Sequence, residues 1–425
     1  MQQKSPLTHD QLTASIRTEI GNPTALEILY RNDVAAFRKA FTEIYAELKG
    51  APVADAWQAR LTYKKQVQIR TSWNEWLFLG IAAVLCGLLA KLPAWTAIDA
   101  EFYYSRNIGF IVFPALAAYF VRKNELPLRS LWLAGSVLLL SLLYINLLPV
   151  KAKSDTLALA CMHMMLVLWS ITGFIFTLQA ADIRTKRIDY LRYNADLVVM
   201  STLLLLAGGI LSAITVGLFS LIGISIEQFY FENMVVFALP SVPLLATHLT
   251  QTNPNLVGRV APVIARIFSP LVLLMLLVYL GAIVYAGKDP YRDREFLLLF
   301  NALLIGVMAL IFFAAAETWG NERKQGGVWL LFVLSILTLI VNGVALSAIL
   351  FRIAEWGFTP NRTAVLGSNM LMLVNLILVA VQLLRAVRTG SDGSGVYKVM
   401  AAYLPVYTAW AAVVTFLFPV LFRYK

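Results

Sequence analysis

Charge is scarce in this sequence. Asp, Glu, Lys and Arg make up 14% of its 425 residues, and 59% are hydrophobic. Soluble globular domains carry about 25% charged and about 45–50% apolar residues. The deficit excludes an ordinary water-soluble globule over most of the chain. Cysteine is scarcer: Cys86 and Cys161 both lie inside apolar runs, so no disulfide framework is implied. The sequence also lacks a Walker phosphate loop, a GxGxxG turn behind a strand, an HExxH pair and a GxSxG elbow. No nucleophile–base set and no paired carboxylates stand at credible spacing. These absences point away from an enzyme and give no reason to expect a cofactor or a catalytic metal. The first apolar run begins near Trp76, too far along for a cleaved signal peptide, and neither end carries a myristoylation or prenylation signal.

What is present is apolar sequence in runs of about 17–25 residues, the length that crosses the hydrocarbon core of a bilayer. They are Trp76–Leu92, Ile108–Val121, Leu131–Val150, Leu157–Leu178, Leu197–Ile222, Met234–His248, Ile267–Ala286, Phe296–Ala316, Val328–Leu350, Ala364–Leu384 and Val399–Phe422. The expectation is an all-α, polytopic transmembrane helix bundle of about eleven spans over residues 73–425. Its solvent is the lipid bilayer. Two runs are weak. Ile108–Val121 is short and holds Pro114, and Met234–His248 holds Pro240 and Pro243, which suits a broken or re-entrant segment. A Gly/Ser-rich linker, Thr389–Gly395, precedes the last run and has the composition of a flexible connection.

Residues 1–72 have ordinary soluble composition and are expected to form a small cytoplasmic helical segment. Thr8 or His9-Asp10 opens a first helix, and Asn22-Pro23 a second. Asn32-Asp33 caps a third whose Val34, Phe37, Phe41, Ile44, Tyr45 and Leu48 recur at helical spacing. Gly50-Ala51-Pro52 ends it, and Ala54–Ile69 reads as a fourth helix. Such a stripe suits packing against partner helices better than lying on a membrane, and the segment is also the place where a protein partner would dock.

The net charge of +11 and pI near 9.6 reflect topology rather than nucleic acid. Lys and Arg crowd the N-terminal segment and the turns holding Arg122-Lys123 and Arg184–Arg192, and thin out in the alternate turns. By the positive-inside rule the N-terminus is cytoplasmic, and Arg106 falls in an external turn. Beyond the sixth run the bias vanishes. If Met234–His248 crosses, the turn Phe351–Thr363 lies outside.

That turn is the densest mix of charge, aromatics and turn residues in the apolar part. Gly357 suits a left-handed helix end, and Thr359-Pro360 the cap and first position of the next helix. Arg352 and Glu355 share a helix face, and Arg362 follows the turn. Glu355 is expected to pair with one or both arginines, as an ion pair or as part of an anion site. A second group of candidates comprises the amides inside the later runs, Asn301, Asn342, Asn369, Asn375 and Gln382, as interhelical ties or as the lining of a polar pathway. Glu317, at the far end of the Phe296–Ala316 run, is a third. The run Cys161-Met162-His163-Met164-Met165 has Cu(I)-type ligands, but methionine is a common gap filler, so packing is the expected role.

The turn residues Arg352, Glu355, Trp356, Gly357, Phe358, Thr359 and Arg362, with Phe268-Ser269-Pro270-Leu271 and Val278-Tyr279-Leu280 upstream, resemble the pattern of bacterial inner-membrane proteins carrying domain of unknown function 4153. Trp356 stands where that pattern usually has Tyr. The resemblance covers about a third of the chain and implies a bacterial inner-membrane location. It implies no activity. The leading expectation for function is a transport or channel-like role. The alternative is a structural or signalling membrane protein that docks partners through its N-terminal helices.

Overall fold

The computed structural model describes residues 9–62, 73–149, 154–221, 224–253, 267–278, 281, 291, 294–318, 325–389 and 394–424; at 34–35, 62, 294–299, 313, 315–318, 325 and 394 the side chains are outside the description. The fold is all-α, with no strand among the described residues. Contacts divide the chain into two units, Met1–Gln68 and Ile69–Lys425.

The first unit holds α1 (His9–Thr18), α2 (Pro23–Asn32), α3 (Val34–Leu48) and α4 (Pro52–Thr62). The expected starts are present as chemistry. Asn22 Oδ1 accepts from the Ala25 amide and Asp33 Oδ1 from the Ala36 amide, each satisfying a donor that the helix itself leaves open. Gly50, at φ +97°, makes the reversal after α3. The α3 stripe is buried inside the unit: Phe37, Phe41 and Ile44 pack with Leu12, Ile16, Leu26, Ala54 and Trp57. The continuation of α4 expected as far as Ile69 lies outside the described residues. On the surface Glu27 accepts from both Arg31 and Arg60, and these hydrogen bonds, Arg31 first, hold its carboxyl below the usual range. Asp55 accepts from the Tyr45 hydroxyl at 2.9 Å, which raises the Tyr45 pKa.

The second unit contains α5 (Trp73–Trp95), α6 (Ala100–Lys123), α7 (Trp132–Leu147), α8 (Asp155–Thr177), α9 (Ile183–Leu221), α10 (Glu227–Thr252), α11 (Ile267–Val278), α12 (Arg294–Thr318), α13 (Gln325–Trp356), α14 (Pro360–Thr389) and α15 (Gly395–Leu421). Among the described residues, eight helices are long and apolar enough to cross a bilayer, and Trp132–Leu147, Ile267–Val278 and Phe300–Phe312 are shorter apolar stretches. Many large apolar side chains face outward, among them Leu77, Ile81, Leu85 and Leu88 on α5 and Leu206, Ile210, Ile214 and Leu218 on α9. Contiguous exposure of this kind is stable against lipid and not against water. These features fit an integral membrane protein.

The two weak runs are both parts of long helices. Ile108–Val121 lies inside the 24 residues of α6, with Pro114 in its interior. Met234–His248 is not broken: α10 is helical for 26 residues, with a π-helical turn at Tyr230–Val235, and continues through Pro240 and Pro243. It packs chiefly on α5, where Gly87 lets the Phe237 ring approach so closely that a Cβ there would overlap it. The run Leu131–Val150, by contrast, yields 16 helical residues, about 24 Å of rise, short of the roughly 30 Å core.

Two apolar cores result. One joins α5, α6, α7 and α8 with the N-terminal half of α9 around Phe120, Met164, Leu168, Phe176 and Tyr193. The other joins α12, α13, α14 and α15 around Phe300, Leu334, Val341, Leu376 and Tyr397. Helices α13 and α14 form an antiparallel hairpin, and α15 packs against α14, α8 and α9.

Candidate functional site

Among the described residues, the second core buries three asparagines together with Ser335 and Thr338. Asn342 is 0% exposed, and Asn369 and Asn375 are 1% exposed. On α13, Ser335, Thr338 and Asn342 follow one face, and all three are buried. Both hydroxyls bond back to their own helix, at Phe332 O and Leu334 O. Asn342 instead reaches across, its Nδ2 donating to the Asn369 carbonyl on α14 at 3.3 Å. Asn375 Nδ2 donates to the Tyr407 hydroxyl of α15 at 3.0 Å, and that hydroxyl in turn faces Met308 Sδ of α12 at 3.9 Å.

These contacts set the depth of the remaining amides. Met308 and Asn375 share one level through Tyr407. Asn301 precedes Met308 by two helical turns on the same face, and Asn369 precedes Asn375 by nearly as much. Asn342 meets Asn369 across the α13–α14 hairpin, about 9 Å of helix rise from Asn375. Helices α13 and α14 thus bring two asparagines together in the core. The oxygens Asn301 Oδ1, Asn342 Oδ1, Asn369 Oδ1 and Asn375 Oδ1, and Asn369 Nδ2, are buried without a hydrogen-bond partner among the described residues. Acceptors exceed donors, so the cluster suits water or a small donor or cationic species. Gln382, seven residues beyond Asn375, is half-buried and not among these orphaned amides.

The turn Phe351–Thr363 has the expected backbone. Gly357 sits at φ +75° and its amide donates to Ile353 O at 2.8 Å; a side chain would be strained there. Thr359 Oγ1 accepts from the Arg362 amide at 3.3 Å, and Pro360 opens α14. The side chains differ from expectation. Glu355 is exposed and forms no ion pair among the described residues. Both arginines turn to Trp356 instead, their guanidinium carbons 5.3 Å (Arg352) and 5.6 Å (Arg362) from the ring centroid. Arg362 Nη1 also donates to Trp356 O at 2.9 Å and Gly357 O at 2.8 Å. The open carbonyls of a helix end and an aromatic face attract these cations from fixed positions, whereas an exposed carboxylate gains little from pairing in water.

Arg106, expected in an external turn, is inside α6 and 4% exposed. Its Nε donates to Ile145 O at 3.0 Å and its Nη2 to Leu148 O at 3.2 Å, closing the C-terminal end of α7, and the guanidinium stands 4.1 Å from the Phe102 ring centroid. The negative end of the α7 dipole offsets the buried charge where no carboxylate is at hand. Beside it Asn107 and Asn146 exchange two amide hydrogen bonds of 2.9 Å. A second group not singled out in the sequence gathers at the other end of α6. His248 of α10, 2% exposed, packs edge-on to Trp76 at 5.2 Å and Tyr119 at 6.2 Å. Tyr193 and Thr247 share a hydrogen bond of 2.7 Å, Lys123 donates to Gln251 at 2.6 Å, and Glu75 Oε2 is buried without a hydrogen bond among the described residues. Proline spacing and a lone histidine were the available signals, but they do not indicate which helices converge.

The Cys161–Met165 run does not converge on a point. Met164 is 2% exposed in the core, Met162 faces outward at 60%, and His163 Nδ1 is bonded to Leu159 O at 2.9 Å. Among the described residues no group of three His, Cys, Asp or Glu side chains is placed to hold a metal. Glu317 falls in the last turn of α12, but its side chain lies outside the described residues, as do Asp289, Arg292, Asp293 and the linker residues 390–393. Comparisons with protein-family models, curated proteins and solved structures return no match.

Proposed function

We propose that this chain is a transport or channel-like protein of the bacterial inner membrane, with its N-terminus in the cytoplasm, and that its polar route follows the asparagines of α12, α13 and α14. The observation that carries this reading is the set of orphaned amide oxygens on Asn342, Asn369 and Asn375 in helices of membrane-crossing length, with a fourth on Asn301 in the shorter apolar stretch of α12. An unpartnered amide in hydrocarbon is costly. A permeating species or its water supplies the missing partners. The basic bias of the N-terminal turns supports the orientation, and the resemblance to domain-of-unknown-function 4153 proteins supports the location.

The test is flux. Purified protein in liposomes should raise permeability to a small cation or polar solute, and Asn342→Leu with Asn369→Leu should abolish the increase while the protein stays folded. Permeability equal to that of empty liposomes across monovalent cations and small neutral solutes would defeat the reading. Greater stability of the leucine variants with unchanged flux would reduce the amides to packing ties. A cysteine at Ser15 checks the orientation: it should react only after the inner membrane is opened.

A second reading, partner docking through the N-terminal unit, is favoured by one feature. An open groove of about 720 Å³ runs between α2 and α4, lined by Pro23, Ile28, Val53, Trp57 and Arg60, with Ile28 57% exposed. A photo-crosslinking residue at Ile28 that captures one defined membrane protein in cells would favour this reading.

A further inference from the structure

We propose that the turn between α13 and α14 binds a phosphate-bearing anion through Arg352 and Arg362, held at the membrane border by Trp356. The argument begins with an imbalance of charge. Two guanidinium groups share one indole, at 5.3 and 5.6 Å from its centroid. The ring quadrupole attracts each but neutralises neither. Glu355, the nearest acid in sequence, is exposed and forms no ion pair among the described residues. Two like charges gathered at one ring favour an anion within reach of both.

The donor inventory gives the same result. A guanidinium carries five N–H donors. The Arg352 side chain makes no hydrogen bond among the described residues, and its Nη1 is buried without one. Arg362 commits Nη1 to Trp356 O and Gly357 O, which leaves Nε and Nη2. These two carbonyl bonds tether Arg362 to the end of α13, so it is pre-positioned before any ligand arrives. A phosphate offers several acceptor oxygens in a tetrahedron and can take donors from two forks at once. A carboxylate, with two oxygens in one plane, spans two separate forks less readily.

The setting selects where such an anion comes from. The turn joins two helices of membrane-crossing length, α13 and α14, and therefore lies near the headgroups. Phe351, Trp356 and Phe358 are 38%, 46% and 70% exposed around it, and aromatic residues at this level anchor a chain in the interface. A phospholipid phosphate sits at that height, and a free phosphate has the same chemistry.

The experiment is thermal unfolding of the full chain in a neutral detergent, with phosphatidylglycerol, phosphatidylcholine or inorganic phosphate added at constant ionic strength. The wild type should gain several degrees with phosphatidylglycerol. The gain should disappear in Arg352→Gln/Arg362→Gln and persist in Glu355→Gln, which leaves both forks intact. A gain from the lipid alone identifies a headgroup site, and a gain from inorganic phosphate identifies a site for the free anion. If the double glutamine variant fails to fold, Arg352→Lys/Arg362→Lys keeps the charge and removes the forks, and the gain should then fall to a fraction of the wild-type value. No gain from any of the three additions, or an equal gain in wild type and the lysine variant, overturns the proposal.

Discussion

Arg106 donates from Nε to the carbonyl of Ile145 at 3.0 Å, so a cation buried in one helix closes the end of another. The second donor, to Leu148 O, makes the closure two-pronged. Arg106→Ala leaves both carbonyls without these donors and is expected to cost about 2–4 kcal/mol. Arg106→Lys keeps the charge but not the fork and should recover part of the loss. Unfolding by titration with a denaturing detergent measures both. Equal stability of the wild type and the alanine variant would remove this role.

Gly367 and Trp410 form a second such pair. A Cβ at 367 would overlap the Trp410 ring, which is also fixed by its Nε1 hydrogen bond to Ser368 Oγ at 3.0 Å. The ring cannot yield without losing that bond. Gly367→Ala should therefore destabilise by about 1–3 kcal/mol, and much less in a Trp410→Leu background, where the obstruction is gone. Additive effects in the same unfolding assay would contradict the close approach.

Because both arginines of the turn are engaged with Trp356, Glu355→Gln and Arg362→Gln should act independently. Their separate effects on the free energy of unfolding in detergent should add to within about 0.5 kcal/mol. A coupling of 1 kcal/mol or more would mean that the carboxylate and guanidinium do pair.

The N-terminal unit should weaken in acid through Glu27. Arg31 and Arg60 hold this carboxyl below its ordinary value of 4.5. A depressed folded pKa means that the unfolded chain takes up the proton first. The contribution is complete above the ordinary value and is lost as pH falls through the lower folded one. Hydrogen exchange of α2 and α4 in the full chain, corrected for intrinsic rates, should show protection falling in that window. The same window should be flat in Glu27→Gln.

Much of the backbone was legible because its causes are local. Asn22, Asp33 and Thr359 each satisfy an amide three residues ahead, and Gly357 reverses a chain on its own φ. The α3 stripe needed only helical periodicity to appear. The length of an apolar run likewise marks a membrane helix, since the bilayer sets one thickness for all.

Partner choice was not local, and there the tertiary structure decided. The acceptors of Arg106 belong to Ile145 and Leu148, on another helix, and a count of basic residues treats a buried guanidinium and a solvated one alike. Spacing put Glu355 beside Arg352 and Arg362, but it carried no information on whether an indole face and two helix-end carbonyls would hold those cations instead. Pro240 and Pro243 argued for a break, yet α10 continues because it is packed along α5, α6 and α9, which hold it in place where an isolated helix would bend. The sequence determined that asparagines lie in the later spans. Only the packing of α13 against α14 brought Asn342 to the Asn369 carbonyl, because depth depends on how separate helices slide against each other.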